Sequence, residues 1–194
     1  MNKKTIFHLA RHGQTQWNIE QRIQGQLDSL LTQQGELQAV QLAKLCQPLN
    51  ISKILTSSLG RAIQTATLCG QYLQMPVTIL PGIEERHFGL WQGKLTPEVQ
   101  KEANYHEITS QITDCKPEHG ESAQQLLTRF EKALRQQFQQ APQEHYLMIT
   151  HGDVLRCFMS QFEQGRKATT GYDFKNGHLI SLAYHHITGQ FSPL

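Results

Sequence analysis

Short apolar runs alternate along this chain with longer segments of helical periodicity. Residues 6–10 are mostly apolar and stop at Arg11 and a turn at Gly13, which predicts a buried strand delivering Arg11 and His12 at its carboxyl end. Thr32 is placed to cap a helix in which Leu37, Val40, Leu42 and Leu45 recur at mixed helical spacings before Pro48. A second strand is expected over 51–56, a helix over 59–73 with Arg61 in its first turn, and a β-branched strand over 77–80. Residues 81–121 are the least regular and are expected to wrap over the sheet edge as loop and short helices, the kind of long connection that carries function. Ser122 opens a polar helix through Gln140 with Leu126, Leu127, Phe130, Leu134 and Phe138 as its buried stripe. Residues 146–150 repeat the grammar of the first strand and end in His151 and Gly152; a helix over 154–162 and a strand over 179–184 follow. Strands alternating with helices predict an α/β fold, a three-layer α/β/α sandwich around a mainly parallel sheet.

Composition narrows the field. At 194 residues with an ordinary apolar fraction, residues 1–194 are expected to form one domain around one sizeable core. The formal charge of +2, with Lys and Arg scattered, gives no basic stripe for a nucleic-acid backbone, so no nucleic acid partner is expected. Cys46, Cys69, Cys115 and Cys157 lie far apart without a paired-cysteine motif and are read as reduced thiols. Lys3 and Lys4 precede an apolar run that His8 interrupts and Arg11 stops, too short for a signal peptide. No uninterrupted apolar stretch is long enough to span a bilayer, so the expectation is a cytoplasmic protein with no membrane partner.

The candidate chemistry lies at the strand ends. In open α/β sheets ligands gather at the carboxyl ends of strands beside helix N-termini. Two strands here end in a His followed by Gly, at His12 and His151, with Arg11 beside the first and Arg61 opening a helix after another strand. Two arginines and two histidines suit a dianion: guanidinium groups bind phosphate oxygens bidentately and leave one nitrogen of His12 in line for attack on phosphorus. A carboxylate must then protonate the leaving alcohol, and Glu84 and Glu85 both stand in the right stretch. Successive residues of an extended segment face opposite ways, so only one of the pair should enter the pocket. His178, His185 and His186 have neither the helical spacing of a zinc protease nor an acidic cluster nearby and are read as surface residues, so no metal site and no cofactor is expected. His8, within the first strand, is expected to be a hydrogen-bonded core residue, while Trp17 and Trp91 suit either substrate contact or packing.

The segment from Arg11 to Asn18, Arg-His-Gly-Gln-Thr-Gln-Trp-Asn, resembles the signature of the phosphoglycerate-mutase-like branch of the histidine phosphatase superfamily. Arg22-Ile23-Gln24-Gly25 with Asp28, Thr56-Ser57-Ser58-Leu59-Gly60-Arg61-Ala62, Glu85-Arg86-His87-Phe88-Gly89, Gly120-Glu121-Ser122 and Thr150-His151-Gly152 with Arg156 extend the likeness in order over nearly the whole chain. The resemblance implies that His12 is the nucleophile, that Arg11, Arg61 and His151 bind the phosphoryl group, and that Glu85 gives and takes the proton. Asn18, Gln24, Gly25 and Gly152 would complete the site. Leu30 stands where the family usually has Pro, which should change loop stiffness rather than chemistry. The acid phosphatase and phytase branch fits less well, because Gly152 rather than Asp follows the second His. The implied activity is metal-independent hydrolysis of a small-molecule phosphomonoester. Phosphoglycerate mutase is the rival within the family, disfavoured by the short stretch from Gly93 to Gly120, and a noncatalytic phospholigand-binding protein is the rival outside it. The physiological substrate is not legible, and a homodimer is left open.

Overall fold

The computed structural model describes residues 4–142, 144–162 and 174–194, so Lys3 lies outside the described residues. Strands β1 (Lys4–Arg11), β2 (Lys53–Thr56), β3 (Val77–Ile79), β4 (His145–Thr150), β5 (Leu179–His185) and β6 (Gln190–Pro193) form one sheet in the order β3-β2-β4-β1-β5-β6. Pairings β2 with β3, β2 with β4 and β1 with β4 are parallel, whereas β5 runs antiparallel to β1 and β6 antiparallel to β5. The sheet is thus mostly parallel, as the alternation of strands and helices predicts.

Helices cover both faces, which explains why β1 and β4 read as near-continuous apolar runs. Successive side chains of a strand point to opposite faces. Phe7, Leu9, Tyr146 and Met148 therefore pack with α6 (Ala123–Gln140) and α7 (Gly152–Met159), while Ala10, Leu147 and Ile149 pack with α2 (Gln33–Cys46) and α3 (Gly60–Leu73). The α6 stripe is the expected one, with Ala123 and Ala133 added, and a Ser122–Gln125 capping box closes its N-terminus. In α2 the apolar positions do not mark the buried face. Thr32 does cap the helix, but Leu37 and Leu45 are exposed and the buried face is Gly35, Ala39, Leu42, Ala43 and Cys46, because small residues let α2 lie close against the sheet and α3.

Several boundaries differ from expectation. Leu59 is the cap of α3 rather than its first turn, and α7 begins at Gly152, two residues early, with His151 as its cap. Strand β6 is not foreshadowed: Pro193 argues against a strand except at a sheet edge, which is where β6 lies, after a turn through Gly189. Residues 81–121 do not follow the sheet edge throughout but cross the carboxyl end of β4. Thr150 Oγ1 donates to the Ile83 carbonyl at 2.8 Å, and the segment closes a third apolar cluster of Ile23, Trp91, Val99 and Ile108. The segment contains the short helices α4 (Thr96–Val99) and α5 (Tyr105–Ser110), as expected, while α1 (Gln16–Ile19) follows β1.

Candidate active site

Because Arg11 and Thr150 are register partners in β1 and β4, His12 and His151 leave the sheet side by side, with ring centroids 5.2 Å apart. The N–H of His12 donates to the Thr150 carbonyl at 3.0 Å, and Asn176 Nδ2 donates to the His12 carbonyl at 3.0 Å. His12 Nδ1 lies 2.8 Å from the carbonyl of Gly13, an acceptor only, so Nδ1 carries the proton and Nε2 presents a lone pair. Burial lowers the His12 pKa well below its usual 6.5, and the nearby Arg61 and Arg11 charges add to this against the Gly13 carbonyl. The ring is therefore neutral at physiological pH.

Arg61 is placed by two structures at once. Helix α3 has no side-chain cap of its own; Asp28 supplies one, accepting from the N–H groups of Gly60 (2.5 Å) and Arg61 (3.2 Å). The fully buried guanidinium then donates to Asp28 Oδ1, to the carbonyls of Leu27 and Gly25, and from Nε to His12 Nε2 at 3.2 Å. Gly25 has a φ of +53°, a left-handed conformation that favours glycine, and this turns its carbonyl onto Arg61. Arg11 Nη1 donates to the Phe174 carbonyl at 2.5 Å. Asn18 Oδ1 accepts from Thr15 N–H in a capping box around α1 and from Asn176. Arg11, His12, Asn18, Gln24, Gly25, Arg61, Glu85 and Gly152 all line one cavity of about 440 Å³.

His151 stands apart from this lining. It is fully buried behind His12, with Nε2 2.8 Å from Ser57 Oγ and Nδ1 without a hydrogen-bond partner among the described residues. Burial and the charges of Arg61 and Arg11 keep its pKa well below 6.5. The two candidate carboxylates separate as an extended segment requires. Glu84 accepts from Ser58 Oγ and Gly82 N–H beside Arg129, away from the cavity. Glu85 is buried against it, with Oε1 accepting from Arg86 N–H at 2.9 Å and Oε2 from Asp153 N–H at 3.2 Å. Burial and the neighbouring Asp153 carboxylate raise the Glu85 pKa, more than the two N–H donors and Arg61 lower it.

Several contributors escape the sequence reading. Asn176 lies far along the chain and is brought in only by the turn into β5, and α5 supplies Tyr105, Thr109 and Ser110 to the outer wall. Asp153, next to Gly152, lines the cavity too. Trp91 is buried in the third apolar cluster, stacked against Phe88, and His8 bonds Ser181 within the core as expected. Among the described residues, no group of three or more His, Cys, Asp or Glu side chains is arranged to hold a metal ion, and no helix is long and apolar enough to cross a membrane.

Comparison with known proteins agrees with this geometry. The family profile of the histidine phosphatase superfamily (branch 1) matches residues 7–192. Over 155 residues, 79% of this chain, the sequence is 36% identical to a protein of Cronobacter sakazakii named probable phosphoglycerate mutase GpmB, of which it covers 72%. Bacillus stearothermophilus YhfR superposes with a TM-score of 0.84 at 27% identity, over 97% of this chain and 95% of that one. A phosphoserine phosphatase of Entamoeba histolytica, solved as a histidine-to-alanine mutant in complex with phosphoserine, superposes with a TM-score of 0.80 at 25% identity, over 97% and 94% of the two chains.

Proposed function

This chain belongs to the histidine phosphatase superfamily, branch 1, and from that membership we propose that it hydrolyses small phosphomonoesters through a phosphohistidine at His12. The observation that carries the reading is the pairing, across one cavity, of a neutral His12 presenting Nε2 with a buried Glu85 whose proton is favoured. The phosphoryl oxygens are neutralised by Arg11 and Arg61, and His151 supports the His12 ring from outside the cavity lining. Nε2 attacks phosphorus, the bond to the leaving oxygen breaks, and Glu85 gives that oxygen its proton. Water then attacks the phosphohistidine, the P–N bond breaks, and Glu85 takes the proton back. Asn18, Gln24, Gly25 and Gly152 frame the phosphoryl site, and the fixed guanidinium charges do the work that magnesium does in other phosphoryl transfers, so the reaction needs no metal.

The names of the 34–36% identical relatives support a second reading, phosphoglycerate mutase. A mutase must keep its phosphoenzyme from water, and the short Gly93–Gly120 stretch supports hydrolysis instead. The test is phosphate release from a panel of phosphorylated metabolites including 3-phosphoglycerate, in EDTA and without bisphosphate. Hydrolysis predicts free phosphate under these conditions. Interconversion of 2- and 3-phosphoglycerate that depends on bisphosphate and frees negligible phosphate means mutase; activity lost to EDTA and restored by one divalent ion means a metal enzyme.

A further inference from the structure

Glu85 is held from behind by a closed ring of interactions that the catalytic scheme does not use. Its two oxygens accept from the N–H groups of Arg86 and Asp153, and those two residues are joined to each other, Arg86 Nη1 donating to Asp153 Oδ2 at 3.4 Å. One turn further along α7, Arg156 Nε donates to Asp153 Oδ1 at 2.5 Å. The side chains of Arg86, Asp153 and Arg156 are all buried.

Two simpler roles do not account for Asp153. As an anchor for Arg86 it is dispensable, because that guanidinium also donates to the carbonyls of Glu121, Ile108 and Cys115. As an alternative proton carrier it is unsuitable: burial pushes its pKa up, but Arg156 and Arg86 outweigh this and hold it ionised below the usual carboxylate range. Its pairing with the buried Arg156 also fixes it as a negative charge beside the Glu85 carboxyl.

Resting on the reading of Glu85 as the proton carrier, we propose that Asp153 is its positioning residue: bridged between Arg86 and Arg156, it fixes the two N–H groups that orient the Glu85 carboxyl and sets a negative charge against it. The arginines around Glu85 pull the opposite way, with Arg129 largely offset by its own partners Glu84 and Glu121. Arg61 on α3 faces it across the cavity, Arg86 and Arg156 lie behind Asp153, and Arg129 on α6 donates to its main-chain carbonyl at 3.3 Å. Neutral His12 shares the cavity. Without the Asp153 charge, Arg61 across the cavity and the two N–H donors act on the carboxyl unopposed, and its proton is released at lower pH.

The test is the pH profile of kcat/KM on an alkyl phosphate for wild type, Asp153→Asn, Arg156→Gln and Glu85→Gln. Ionisation of the substrate is common to all four and cancels in their ratios. Asp153→Asn keeps the shape and the backbone donor but removes the charge, so the limb reporting loss of the Glu85 proton should move down by about one pH unit or more, a roughly tenfold loss above it. The first-turnover burst of p-nitrophenol from p-nitrophenyl phosphate, which needs no acid, should change by less than about threefold. Arg156→Gln removes a cation while Asp153 stays charged, and its limb should move up, which keeps the test decisive if Asp153→Asn fails to fold. Equal losses on both substrates with an unmoved limb, or an unmoved limb in Arg156→Gln, overturn the role of Asp153 while leaving Glu85 as the acid. Should Glu85→Gln itself lack a selective loss on the alkyl substrate, the acid reading falls and the Asp153 role falls with it.

Discussion

Replacing Glu85 by Gln separates proton transfer from every other function of the site. The amide is nearly isosteric but can accept only through its oxygen, so it keeps one of the two backbone donors, Arg86 N–H or Asp153 N–H, and turns its NH₂ group against the other. A buried donor left unpaired costs about 1–3 kcal/mol. Relief of the repulsion between Glu85 and Asp153 offsets part of that, so the fall in Tm should be at most about 12 °C for a chain of this size. Catalysis should suffer far more. An alkoxide leaves only when protonated, and general acid catalysis contributes roughly 10²–10⁴-fold, about 3–5 kcal/mol of barrier. Glu85→Gln should therefore lose that factor on an alkyl phosphate. It should still release a burst of p-nitrophenol, a good leaving group, followed by slow dephosphorylation because water loses its base. Glu84→Gln is the internal control, since the Glu84 carboxylate is bonded to Ser58 and Gly82 outside the cavity and should leave both rates near normal. A selective loss in Glu84→Gln with none in Glu85→Gln would refute the reasoning.

Two further outcomes test the surroundings of the site. His12 and His151 have folded pKa values well below 6.5, so their contribution to stability is complete above pH ~6.5 and is lost as pH falls toward the folded values, at up to about 1.4 kcal/mol per pH unit for each. Glu85, with a raised pKa, returns stability as pH falls toward about 4.5, so the net slope should lie between that of one and two groups; a Tm unchanged from pH 7.5 to 5.0 contradicts the buried neutral histidines. In the first turn of α2, a Cβ on Gly35 would fall 2.1 Å from the Gln14 carbonyl, so Gly35→Ala should lower both Tm and activity, even though Ala favours an exposed helix interior over Gly by about 1 kcal/mol. A raised Tm would show that this close approach is not required.

The layers and the strand ends are legible because they follow from periodicities of the chain. Apolar runs that stop at Arg11-His12 and at His151-Gly152 mark buried parallel strands, and parallel neighbours bring their carboxyl ends together. Leu37 and Leu45 mislead because hydrophobicity alone does not distinguish a face that must approach closely; Ala39, Ala43 and Gly35 take the buried positions of α2 for their size. The antiparallel β6 is hidden by Pro193, which is tolerated only because the strand is outermost. Within the site, residues in contiguous motifs can be read, whereas Asn176 and the α5 wall cannot. The turn into β5 places Asn176, and the α5 wall depends on an irregular segment held by hydrogen bonds from Arg86 to main-chain carbonyls, a pattern with no sequence period. Asp153 escapes for a related reason: its significance lies in two arginines, one of them 67 residues away.

The most direct test of the account is to trap the intermediate on His12. Brief incubation with a labelled phosphodonor and an acid-free quench should leave an acid-labile, base-stable phosphate on His12, specifically on Nε2, because Nδ1 is committed to the Gly13 carbonyl. The label should be absent from His12→Ala, which should not turn over. Label on any other residue, or full turnover by His12→Ala, contradicts the mechanism.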